Sequence, residues 1–194
     1  MSGVGKSFWA RRLARDRGFV VHDCDAAIGE RLSSIVTPDP GEELVHALGR
    51  WMGMPWTVGY AEREARYLAL EEHVTREALE ASRDDHVIDT TGSTIYLPRD
   101  LLEGMRRRCC VVYLRTPTSR RDAMLRRYLE EPKPVVWAGA FPSRGGPEQL
   151  PVAYERLLAL RDERYAALAH VTLDGGELEA HPPTVDAFLA SITV

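Results

Sequence analysis

A chain of 194 residues with 44% hydrophobic content is long enough for one core of ordinary size and not for two. Its net charge of −4 at pH 7 lacks the basic excess that phosphate-backbone binding requires, so no nucleic-acid partner is expected. Three cysteines cannot all pair, no stretch approaches a membrane span of roughly 20 apolar residues, and no secretory pattern opens the chain, so the expectation is a cytoplasmic protein without a membrane contact.

The chain opens on Ser2-Gly3-Val4-Gly5-Lys6-Ser7, and a segment of helical composition, Lys6 to Arg17, follows at once. In such a loop the glycines let backbone amides wrap phosphates, the lysine reaches the β- and γ-phosphates, and the hydroxyl holds Mg²⁺. The helix start adds its positive end. Gly5, Lys6 and Ser7 fit the end of G-x-x-x-x-G-K-[ST], but the first glycine of that pattern would fall one position before Met1. A loop of this kind hangs on an apolar strand, so the expectation is that the natural protein starts upstream and that Met1 is internal to the loop.

Phe19 to His22 reads as a strand with Asp23 and Asp25 just beyond its carboxyl end, where open α/β sheets bind ligands. An acid there accepts a proton from an attacking hydroxyl or orders Mg²⁺ through water; either would equally serve as a helix N-cap. Residues 37–59, with Pro38, Pro40, Trp51, Pro55 and Trp56, break the alternation and read as a substrate-side excursion. In the helical segment Arg63 to Ser82, the recurrence of Tyr67, Leu70, Val74 and Ala78 marks a buried stripe.

His86 to Asp89 is a second apolar run ending in an acid, followed by Thr90-Thr91-Gly92-Ser93. That is the form of a Walker B strand, whose acid supports Mg²⁺. Cys110 to Leu114 reads as a third strand, and Thr116 with Pro117 as the cap and first-turn proline of a helix continuing to Leu129. The prolines and glycines of about 131–151 mark a lid or binding loop. Tyr154 to Leu168 is helical, His170 to Leu173 is a fourth strand, and Thr184 to Ile192 a last short helix. Strands alternating with helices predict a parallel sheet covered on both faces.

Gly3-Val4-Gly5-Lys6-Ser7, His22 to Ile28, Val87 to Ser93, Val111-Val112-Tyr113-Leu114 and Arg161-Asp162-Glu163-Arg164-Tyr165 follow one another in the order of the shikimate kinase family, which the chain resembles over nearly its whole length. The resemblance implies a single domain over 1–194 with the three-layer αβα P-loop NTPase fold of the nucleoside-monophosphate-kinase-like class, its central first strand absent. It also implies transfer of the γ-phosphoryl group of ATP, with Mg²⁺, to a hydroxyl of a small metabolite. By that resemblance Gly3, Val4, Gly5, Lys6 and Ser7 bind the nucleotide, Ser7, Asp23 and Asp89 hold the metal, and Asp25 is the base. Gly92 and Arg161 would face the substrate, Arg161 as a carboxylate clamp, and Lys133 would act from the lid.

Three positions depart from the family. Gly92 alone stands for a glycine triplet, Leu68 stands where a second substrate arginine is expected, and Lys133 replaces an arginine before proline. Glu131 to Trp137 resembles a branch of shikimate-kinase-like bacterial proteins rather than the enzymes proper. Taken without the family, Arg161 reads as a solvated helix residue. The alternatives are a kinase of another sugar acid, polyol or nucleoside, and a nucleotide-binding regulatory or interaction protein without catalysis; a monomer or homodimer is expected.

Overall fold

The computed structural model describes residues 4–192. The first segment, α1 (Lys6–Arg17), has the predicted bounds and ends at Gly18 in a left-handed cap. Four strands follow among the described residues: β1 (Val20–Asp23), β2 (His86–Asp89), β3 (Val112–Arg115) and β4 (Val171–Asp174). Each is within two residues of the sequence expectation at either end, because each is a short apolar run closed by a charged residue.

The strands form two parallel pairs, β1 with β2 and β3 with β4. Val20 to Asp23 pairs with His86 to Asp89 in register, and Val112 to Arg115 with Val171 to Asp174. A cavity of about 820 Å³ lies between the pairs, lined by Val87 and Ile88 of β2, Val112 and Leu114 of β3, and Trp9 and Leu13 of α1. The expected sheet of reduced strand number thus appears as two half-sheets held by helices.

One face is covered by α1 and α9 (Val185–Ile192), where Trp9 stacks on Phe188 with ring centroids 4.0 Å apart. These aromatics join Leu13, Leu114 and Val185 in one cluster. The other face is covered by α2 (Cys24–Arg31), α4 (Tyr60–Ala81), α5 (Arg99–Arg108) and α7 (Leu150–Leu168). In α4 the predicted Tyr67, Val74 and Ala78 are buried, and Glu71 shares their stripe. The Arg106-Arg107-Arg108 run closes α5, and Arg106 donates to the carbonyls of Leu168 and Ala169 at the end of α7, a capping role suited to a cation.

Two local expectations are corrected. The excursion 37–59 contains a helix, α3 (Leu44–Met52), whose Ala47, Leu48 and Met52 are buried. Thr116 does not start a helix: Pro117 leads into a 3-10 turn, Thr118–Arg120, and α6 (Arg121–Glu130) begins after it, while the Thr116 hydroxyl is buried without a hydrogen-bond partner among the described residues. After β4, Asp174 caps the short α8 (Gly175–Ala180) through the amides of Gly176 and Glu177.

Candidate active site

Gly5 adopts a left-handed backbone with φ of 92°, a conformation that a side chain resists. Its carbonyl accepts the Trp9 amide at 3.0 Å and closes the first turn of α1. Lys6 and Ser7 are therefore held half-buried at the helix start, where first-turn amides and the helix dipole favour an anion. Gly3 lies outside the described residues, and Val4 lines the cavity between the half-sheets together with Lys6 and Asp89.

Asp23 closes β1, and its Oδ1 accepts the Ala26 amide at 2.9 Å as the N-cap of α2. Asp89 closes β2 as the register partner of Asp23 and is buried. Asp25, in the first turn of α2, accepts the Tyr67 hydroxyl at 3.0 Å. Burial pushes the Asp25 carboxyl up from its ordinary value, and Lys6 and Tyr67 pull it back, while Asp23 and Asp89 add to the rise. These interactions place Lys6, Asp23, Asp25 and Asp89 at one end of β1 and β2.

Among the described residues no three His, Cys, Asp or Glu side chains converge on one metal position. Ser7, Asp23 and Asp89 offer few, hard oxygen donors, and the described cap at Asp23 engages Oδ1 rather than Oδ2. Such a set fits Mg²⁺, which keeps several of its waters, better than a metal caged by protein.

On the other side of Asp25 lies a polar cluster that sequence reading missed. Glu71, one turn after Tyr67 on α4, is 0% exposed. The hydroxyls of Thr91 and Ser93 donate to its two oxygens, and that of Thr94 lies 3.2 Å from Oε1. Burial raises the Glu71 carboxyl to about 7 against the pull of these hydroxyls. The signal available in sequence was a glutamate four residues after Tyr67, inside an otherwise apolar stripe.

Arg161 is buried, contrary to its reading as a solvated residue, and donates through Nη2 to the Val136 carbonyl at 2.8 Å. Its guanidinium lies 5.6 Å from the centre of the Tyr96 ring. Arg161 Nε and the Tyr96 and Tyr165 hydroxyls are buried with no hydrogen-bond partner among the described residues. Such orphaned groups are costly unless water or a ligand meets them.

The segment expected as a lid is anchored along its first half. Val136 and Trp137 are each 1% exposed. The Trp137 and Ala138 amides donate to Glu64, and the Tyr60 hydroxyl lies 2.7 Å from the Val135 carbonyl. A Cβ on Gly49 would collide with the Pro132 carbonyl, so α3 packs directly on the start of this stretch. Lys133 sits here, half-buried, and no described contact joins it to Lys6 or Asp25.

Neither a protein-family model nor a curated protein matches the sequence. Among solved structures the chain is similar to a shikimate kinase from Acinetobacter baumannii in complex with shikimate, with 23% identity over 98% of this chain and 85% of that one, at a TM-score of 0.57. It is likewise similar to a shikimate kinase from Bacteroides thetaiotaomicron, with 21% identity over 97% of this chain and 90% of that one, at a TM-score of 0.60. At such identities the likeness speaks for the fold: the chain has a three-layer α/β/α, P-loop-kinase-like architecture of reduced strand number, related to that of shikimate kinase.

Proposed function

We propose that this protein is an ATP-dependent kinase that transfers the γ-phosphoryl group to a hydroxyl of a small metabolite. The observation that carries the reading is the meeting of Lys6, at the glycine-turned start of α1, with Asp25 and the strand-end acids Asp23 and Asp89. Phosphoryl transfer needs little else from a protein than positioning and charge stabilisation. Lys6 and the amides at the start of α1 bind the terminal phosphates and stabilise their developing charge. Ser7 and Asp89, with Asp23 through water, would hold Mg²⁺, whose charge offsets that of the phosphate oxygens. Asp25 orients the acceptor hydroxyl and takes its proton, a task helped by the upward push of burial on its carboxyl. Gly92, Arg161 and the orphaned Tyr96 and Tyr165 hydroxyls line the acceptor side, and Lys133 approaches from the segment that begins at Glu131.

ADP release in the presence of Mg·ATP and a panel of shikimate, other sugar acids, polyols and nucleosides tests the reading. Lys6→Ala is expected to depress acceptor-dependent turnover on the order of 10²-fold or more, as loss of a preorganised charge contact does. Turnover that is unchanged in this variant, or absent for every acceptor, would refute it.

A second reading, a nucleotide-binding regulatory protein without catalysis, is favoured by one observation. The Arg161 guanidinium is already committed to the Val136 carbonyl, and Val136 and Trp137 are packed into the core beside it. Acceptor-dependent ADP release eliminates this alternative, whereas calorimetric binding of Mg·ATP without turnover supports it.

A further inference from the structure

A carboxylate removed wholly from water is tolerated when hydrogen bonds fill its oxygens, and the donors that meet Glu71 come from one loop. Thr91, Ser93 and Thr94, immediately after β2, are 2–3% exposed with their side chains turned inward onto Glu71. The loop braces itself as well, since the Ser93 amide donates to Thr91 Oγ1 at 3.1 Å. Gly92 stays half-buried between these inward-facing neighbours, the residue of the 91–94 turn that keeps an accessible face. Tyr67, which holds Asp25, stands four residues before Glu71 and thus on the same side of α4. One rigid helix therefore sets both Asp25 and the loop opposite it.

We propose that Glu71 is a positioning residue of the acceptor site: by gathering Thr91, Ser93 and Thr94 it latches the loop after β2 to α4 and turns the Gly92 backbone toward the hydroxylated acceptor. What binds there rests on the kinase reading; the latch itself does not.

The latch is tightest when Glu71 is ionised, because a carboxylate accepts from all three hydroxyls while a protonated carboxyl commits one oxygen to its own proton. The groups facing Glu71 are Asp25 and Cys24 of α2, Tyr67 of α4 and Tyr165 of α7, with Asp89 beyond Asp25 and Arg161 beyond Tyr165. Burial keeps Cys24, Tyr67 and Tyr165 protonated, and Asp25 raises Glu71 by repulsion.

NMR of the full chain tests the latch without any acceptor. The backbone amides of Gly92, Ser93 and Thr94 are expected to shift together with pH around a midpoint near 7. In Glu71→Gln that titration disappears. Thr91→Val combined with Ser93→Ala moves the midpoint to higher pH, because the lost hydroxyls favoured the ionised form, and Asp25→Asn moves it lower. With whichever acceptor releases ADP, Glu71→Gln raises KM on the order of tenfold more than it lowers kcat, and leaves Mg·ATP affinity as it was. Loop amides that titrate alike in wild type and Glu71→Gln, or an acceptor KM indifferent to that change, would overturn the proposal. If no acceptor is turned over, the kinase reading has failed, and the amide titration still decides whether the latch exists.

Discussion

At Asp25 the proton affinity of a single side chain is set by its neighbours as much as by its own chemistry. Burial raises its proton affinity, Lys6 and the Tyr67 hydroxyl restrain that rise, and the hydroxyl contact fixes which carboxylate oxygen remains available. Asp25→Asn keeps the shape and removes the base. Acceptor-dependent turnover is expected to fall on the order of 10²–10⁴-fold while calorimetric affinity for Mg·ATP is retained, since the proposed nucleotide contacts lie at the start of α1 and not on α2. A variant with undiminished turnover would show that Asp25 only orients. At this scale the placement of Lys6 and the strand-end acids was legible, because α1 begins at Lys6 after Gly5 and Asp23 and Asp89 close their strands as the spacing predicts. The cluster around Glu71 was not: its partners Thr91, Ser93 and Thr94 lie some twenty residues away in sequence, and periodicity marks the position of Glu71 without saying what it meets.

Among the elements, the stretch that follows α6 departs most from its sequence expectation. Prolines and glycines suggest a mobile loop, yet Trp137 is packed edge-on to Phe141, with ring centroids 5.3 Å apart, and near Tyr128 and Tyr154. Composition reports the backbone's lack of regular hydrogen bonding; it does not report that Tyr60, Glu64 and Arg161 supply those bonds from two helices. Truncation of a fully buried tryptophan removes this packing, so Trp137→Ala is expected to lower stability by about 3–5 kcal/mol. Urea unfolding measures it, and a loss below about 1 kcal/mol would mean that the stretch is only loosely docked. α3 escaped notice for a related reason: Pro38, Pro40 and Gly41 before it and Pro55 after it dominate the segment, while its buried Ala47, Leu48 and Met52 are too few to stand out.

For the whole molecule, the buried acid gives stability a pH dependence of unusual sign. Glu71 binds its proton more tightly in the folded chain, at about 7, than at the ordinary 4.5. Its contribution is therefore fully present below 4.5 and is lost as pH rises through 7. The shift corresponds to on the order of 3 kcal/mol. Denaturant titrations of wild type and Glu71→Gln at several pH values isolate the effect: the difference between them should change in the direction that disfavours wild type between pH 4.5 and 7. A difference that stays constant would mean that Glu71 binds its proton equally in the folded and unfolded chains.

The division of the sheet into two parallel pairs has a consequence for cooperativity. Within each pair, ladder hydrogen bonds and a shared register tie the strands together. Between the pairs, among the described residues, lies a cavity with both apolar and charged lining, bridged by side chains of α1 and its neighbours. Local opening follows contiguous units of this kind. The amides of β1 and β2 are then expected to exchange as one foldon and those of β3 and β4 as another.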